Sequence, residues 1–120
     1  MVREGQMKVK ILYFSGCPNW ETALDRTRTA LAELGCPDAS ILLQDVGETP
    51  HLPREWAGSP TVMIDDQDPF AADPGPAPAR DACRIYRTGA GFEGAPSTHQ
   101  LRTAFRVAFE SSKNTKGAHG

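Results

Sequence analysis

The residue best placed for chemistry is Cys17. It stands in Ser15-Gly16-Cys17-Pro18-Asn19-Trp20, between the apolar run Lys10-Ile11-Leu12-Tyr13-Phe14 and a long amphipathic segment. A cysteine at the joint of a strand and a helix faces unpaired backbone N–H groups and the positive end of the helix dipole. Both favour thiolate over thiol. The thiolate is the form that attacks disulfides and ligates soft metals, so Cys17 is the candidate nucleophile.

The chain holds 3 cysteines, Cys17, Cys36 and Cys83, and no two are close enough in sequence for a zinc knuckle. Cys36 follows Gly35 and reads as a turn cysteine. Asp65, Asp66 and Asp68 lack the spacing and the later glutamate of a calcium loop and read as a polar turn. His51 and His99 fall near helix starts with no partner at ligand spacing. No metal site is expected from these residues. Trp20 lies one turn from the Cys17 thiol, where it either flanks a substrate groove or packs under the first helix. Glu21 reads as a solvated charge.

The elements that position these residues follow from periodicity. Val9, Ile11, Leu12, Tyr13 and Phe14 form a run too continuous for a one-sided surface strand, which suits a central strand covered on both faces. Trp20, Ala23, Leu24, Thr27, Leu31 and Leu34 then recur at helical spacing, with Pro18 suited to the first helical position and Gly35 to a left-handed stop. Ala39–Val46 reads as a second strand, parallel to the first through a right-handed crossover. Thr49-Pro50 opens a short expected helix through Trp56.

Val62-Met63-Ile64 is the third strand. Cys83–Arg87 is the fourth, expected antiparallel to the third. The stretch from 66 to 82, with Pro69, Pro74, Pro76 and Pro78, reads as a Pro-rich surface loop. Thr88–Pro96 reads as another loop. Ser97-Thr98-His99-Gln100 has the form of a capping box, and Leu101, Ala104, Phe105, Ala108 and Phe109 follow at helical spacing. Residues 1–7 read as a polar arm, 8–110 as one domain, and 111–120 as a disordered tail.

Composition narrows the function classes. With 120 residues the chain suffices for a single core, and a formal net charge of −2 with interspersed signs offers no basic stripe for nucleic acid. No apolar run approaches the length of a membrane span, and residues 1–6 lack the form of a signal peptide. A soluble cytoplasmic protein with reduced thiols is expected; the oligomeric state stays open.

The order βαβαββα, with a cysteine opening the first helix and an X-Pro before the third strand, resembles the thioredoxin-like superfamily. Phe14-Ser15-Gly16-Cys17-Pro18-Asn19-Trp20 is similar to its redox motif, and Ser59-Pro60-Thr61 to its cis-proline loop. The resemblance implies a three-layer α/β/α sandwich around a mixed four-stranded sheet, with Pro60 cis and lying against Cys17. It also implies that Ser59, Pro60 and Thr61, flanked by Trp20, bind substrate. Trp20 stands where thioredoxins carry a second cysteine, so the chain resembles the monothiol members, which use no cofactor beyond a low-molecular-weight thiol as co-substrate.

The implied activity is thiol–disulfide exchange or thiol transfer from Cys17, with a disulfide-containing protein or a small thiol as partner. Asp68-Pro69-Phe70 and Ala82-Cys83-Arg84 are similar to small thioredoxin-like proteins, a few of which carry an alkylmercury-lyase-like label. The alternative is therefore a non-catalytic binding module that captures a soft metal or organomercurial through Cys17 and Cys83. Cys83 is the candidate resolving or second thiol. A fourth strand starting at Cys83 puts it at the end of the sheet away from Cys17, however, which favours a core role.

Overall fold

A computed structural model describes residues 7–36, 39–70 and 78–119, with side chains described through residue 110. It is a mixed α/β structure: β1 (Lys8–Tyr13), α1 (Trp20–Glu33), β2 (Ser40–Asp45), β3 (Thr61–Ile64), β4 (Tyr86–Thr88), β5 (Gly91–Glu93) and α2 (Thr98–His119). A single 3-10 turn, Val46–Glu48, follows β2. None of the described helices is long and apolar enough to cross a membrane.

The sheet is built on β1. Its order is β2-β1-β3, with β2 parallel to β1 (Val9 opposite Ile41) and β3 antiparallel (Ile11 opposite Val62). The pleat sends alternate side chains to opposite faces. Val9, Ile11, Val62 and Ile64 pack with Ala23, Leu24, Ala30 and Leu31 of α1 and with Leu101 and Phe105 of α2 in one cluster. Both helices therefore cover the same face. Leu12 and Met63 point the other way, onto Val46 and Trp56, with Phe14 and Leu52 at the margin.

The expected helix over Thr49–Trp56 does not form, so the second face is covered by irregular chain. Pro50 and Pro53 each remove an N–H donor. Thr49 turns its hydroxyl back to Val46 O (2.9 Å) instead of capping forward, and one turn closes from Trp56 N–H to Pro53 O (3.1 Å).

The expected four-stranded sheet is a three-stranded sheet plus a separate two-stranded one. β4 pairs with β5, Arg87 opposite Phe92, and not with β3. A two-residue connection, Gly89-Ala90, makes this local partner inexpensive in chain entropy, and Gly91 takes the positive φ (+113°) that the turn requires. The segment read as a loop from Thr88 thus contains a strand.

Helix ends follow local chemistry. Gly35 (φ +76°) ends α1 with Cys36 N–H on Leu31 O (2.8 Å) and Gly35 N–H on Ala32 O (3.0 Å), the paired bonds of a Schellman cap. The capping box opens α2: Gln100 N–H donates to Ser97 Oγ (3.0 Å), and Ser97 N–H donates to Gln100 Oε1 (2.9 Å). α2 continues to His119 instead of ending near Glu110, because extending a formed helix fixes only one residue per added bond. Met7, assigned to the polar arm, is buried in the main core, while residues 1–6, Pro37, Asp38 and 71–77 lie outside the described residues.

Candidate functional site

Cys17 sits in the turn between β1 and α1. Its N–H donates to Phe14 O (3.0 Å), which closes the turn. α1 begins at Trp20, with Asn19 as its cap, two residues after the start expected from Pro18. Asn19 carries no side-chain cap; its own N–H donates to the Cys17 sulfur (3.4 Å). The first free donor of the helix end is therefore spent on the thiol. The Cys17 residue is 2% exposed, and its thiol donates to Ser59 O (3.7 Å).

Ser59, Pro60 and Thr61 lie beside it, all buried, with the Ser59–Pro60 peptide cis. Ser59 Oγ accepts the Phe14 N–H (3.4 Å), tying this loop to the turn that carries Cys17. Thr61 Oγ1 donates to Gly58 O (2.6 Å) and accepts the Ala57 N–H (3.1 Å). Pro60 O accepts a hydrogen bond from the buried Tyr86 hydroxyl, and burial pushes that hydroxyl well above its ordinary pKa.

Trp20 is half-buried against the main core and stacks on Tyr13 with ring centroids 4.3 Å apart. Packing accounts for this side chain. Cys36 hydrogen-bonds locally to Leu34 O and sits past the far end of α1, about 20 Å of helix from Cys17.

The backbone of Ser59 is already paired. Its N–H donates to Ala82 O (2.8 Å) and its carbonyl accepts the Arg84 N–H (2.9 Å), forming a parallel bridge with Cys83. The expectation that Cys83 lies at the end of the sheet away from Cys17 is overturned. The segment enters parallel to Ser59 instead of folding back antiparallel along β3, so Cys83 meets the Cys17 end. Cys17 and Cys83 thus meet across the Ser59 backbone, the Cys17 thiol on Ser59 O and Cys83 bridged to Ser59, and all three cysteines are free. Desolvation first, then the neighbouring Cys17 side chain and the Asp81 carboxylate, raise the Cys83 pKa above its ordinary value. Cys83 is nonetheless exposed, whereas Cys17 is buried.

The chain around Cys83 forms a strap anchored on both sides. Upstream, Trp56 Nε1 donates to Ala79 O (2.8 Å), and Arg80 donates to Val46 O and to Thr49 O (3.0 Å). Downstream, the Arg84 guanidinium pairs with Asp68 (2.7 Å), both side chains 10% exposed, donates to Phe70 O (2.7 Å), and lies over the Tyr86 ring. Gly58 lets the strap approach closely: its φ is +102°, and a Cβ there would lie 3.1 Å from Arg84 N. The described end of the Pro-rich loop is thus pinned to the domain.

Sequence reading missed Gly58, Asp68, Arg84 and Tyr86 as parts of the site. The one local signal was Gly58 beside Ser59-Pro60, since a glycine there suggests close backbone approach. Among the described residues no group of three or more His, Cys, Asp or Glu side chains is arranged to hold a metal ion. What the arrangement offers for chemistry is Cys17 and Cys83, both placed against Ser59. Comparison with protein-family models, with curated proteins and with solved structures finds no match to this chain.

Proposed function

We propose that this protein carries out thiol–disulfide exchange with Cys17 and Cys83 as its redox pair. The observation that carries the reading is the Ser59–Cys83 bridge, which brings Cys83 to the same residue whose carbonyl accepts the Cys17 thiol. Trp20 removes the local partner thiol, and the strap supplies a distant one. In the oxidising direction a thiolate of the pair attacks an external disulfide, forms a mixed disulfide and releases one thiol. The other member of the pair then attacks the protein sulfur of that mixed disulfide and releases the second thiol. Two electrons pass from the pair to the substrate, leaving a Cys17–Cys83 disulfide. The substrate is a disulfide-bearing protein or a low-molecular-weight disulfide.

A thioredoxin-like architecture belongs to the same proposal. The β2-β1-β3 order, the two helices on one face and the cis Ser59–Pro60 bond beside the thiol support it. Its fourth strand is represented here by the short strap bridge. The test is incubation of the reduced protein with glutathione disulfide followed by peptide mapping. A Cys17–Cys83 linkage, with turnover lost in Cys17→Ser and retained in Cys36→Ser, is expected. Turnover surviving in Cys17→Ser would sink the assignment.

The same placement of two cysteines about Ser59 favours one second reading, capture of a soft two-coordinate cation such as Hg(II), for which thiolates are preferred ligands. It predicts one Hg(II) bound per chain, lost in Cys83→Ser, in a protein with no disulfide turnover.

A further inference from the structure

We propose that Cys83, rather than Cys17, is the sulfur that meets the external substrate, and that Cys17 reacts only within the pair. This rests on the reading of the two cysteines as a redox pair and assigns each its step.

The argument begins with direction of approach. Substitution at a disulfide sulfur proceeds in line, with the incoming thiolate opposite the leaving sulfur. In a Cys17–Cys83 disulfide, attack on Cys17 along that line comes from the side away from Cys83. Cys17 is 2% exposed, with its sulfur already flanked by Asn19 N–H and Ser59 O. The same line taken to Cys83 comes from the solvent side, because Cys83 is exposed. Which sulfur is attacked is one of the determinants of exchange rate. Here burial makes the choice.

The leaving group agrees with this order. When an external thiolate attacks Cys83 Sγ, a bond forms between the incoming sulfur and Cys83. The electron pair of the broken S–S bond stays on Cys17 Sγ, which faces the Asn19 N–H. A second external thiolate then attacks the external sulfur of the mixed disulfide and releases Cys83, which takes a proton from water. Two external thiols become one disulfide and the pair gains two electrons. In the opposite direction Cys83 attacks the external disulfide first, and Cys17 then attacks the Cys83 sulfur. Either way Cys17 never leaves its pocket.

The strap makes this division of labour durable. Its bonds from Ala79 and Arg80 to the domain, and from Arg84 to Asp68 and Phe70 O, hold the Cys83 segment against Ser59 from both sides. Cys83 is thus a fixed outer sulfur and not a thiol that swings away to uncover Cys17.

Two variants in a Cys36→Ser background separate the thiols: Cys17→Ser leaves Cys83 alone, and Cys83→Ser leaves Cys17 alone. Each is mixed with glutathione disulfide, and the glutathione adduct is followed by intact mass. The Cys83-only protein is expected to form the adduct on the order of tenfold faster or more, with the difference collapsing in concentrated urea, where both thiols are open. Adduct formation on the Cys17-only protein at an equal or greater rate overturns the proposal.

Should either variant fail to fold, wild-type protein quenched in acid at early times and peptide-mapped gives the same answer. Glutathione on Cys83 supports the order, and glutathione on Cys17 refutes it. The two readings fail separately. Cys17 modified first, followed by a Cys17–Cys83 linkage, sinks only this inference. Cys83 modified first with no later linkage sinks the redox pair.

Discussion

Gly58→Ala is the substitution that tests most directly how the fold brings the two thiols together. Gly58 has φ +102°, where a non-glycine residue costs about 1–3 kcal/mol. The added Cβ would lie 3.1 Å from both Arg84 N and Arg84 Cβ and 3.2 Å from Arg84 Cα. These are mostly backbone neighbours, and Arg84 is held by Asp68 and Phe70 O, so the strap cannot give way without losing its own bonds. The first to go are the two backbone hydrogen bonds to Ser59, at 2.8 and 2.9 Å. At about 0.5–1.5 kcal/mol each, their joint loss is about 1–3 kcal/mol, or roughly 5- to 150-fold in an equilibrium constant.

That loss should appear in the stability of the Cys17–Cys83 disulfide. The assay equilibrates wild type and Gly58→Ala at a series of glutathione to glutathione disulfide ratios and quantifies the disulfide by differential alkylation and mass spectrometry. The variant should form it less readily by roughly the factor above, and the urea midpoint of its reduced form should fall as well. A disulfide equilibrium unchanged while the urea midpoint drops would refute the link from Gly58 through the strap to Cys83. Gly58 would then matter only to global stability.

Three further outcomes follow from groups outside the thiol pair. Tyr86→Phe leaves the buried Pro60 carbonyl without its donor and should cost about 1–3 kcal/mol in urea unfolding; a loss inside the experimental scatter would mean that water replaces the bond. Thr27 Oγ1 is buried with no hydrogen-bond partner among the described residues, so Thr27→Val should stabilise by about 1 kcal/mol, and a lower urea midpoint would show that the hydroxyl is satisfied. The Thr88 hydroxyl and Arg26 hold the Glu93 carboxyl below its ordinary pKa of 4.5. The unfolded chain therefore binds the proton first, and this contribution, present above about pH 4.5, is lost as pH falls through the lower folded value. Glu93→Gln should flatten the acid limb of the stability–pH curve, whereas an unchanged limb would place the acid sensitivity elsewhere.

The sequence by itself determined the parts whose signals are local. β1, α1, β2 and β3 each carry a hydrophobic period, and each forms within a residue or two of its expected bounds. Gly35 and the Ser97–Gln100 box fix helix ends through chemistry confined to a few neighbouring residues. Cys17 stands at the joint between strand and helix for the same reason. Even its small displacement from the helix start is local: Asn19 gives its N–H to the Cys17 sulfur.

Tertiary structure alone decided what Cys17 faces. Cys83 reads as the start of a strand because Cys83-Arg84-Ile85-Tyr86-Arg87 has strand-like residues, yet only Tyr86–Thr88 pairs, and it pairs with a strand that begins in a glycine-rich stretch. Where the preceding residues lie depends on the Arg84–Asp68 pair, the Tyr86 hydroxyl on Pro60 and the absence of a side chain at Gly58. Each joins positions from 16 to 26 residues apart, a separation at which sequence spacing says nothing about contact. Cys17 is therefore legible as a candidate position from its own neighbours. The nearness of Cys83 is not, because a parallel bridge and an antiparallel hairpin place Cys83 at opposite ends of the sheet, and the same run of residues can form either.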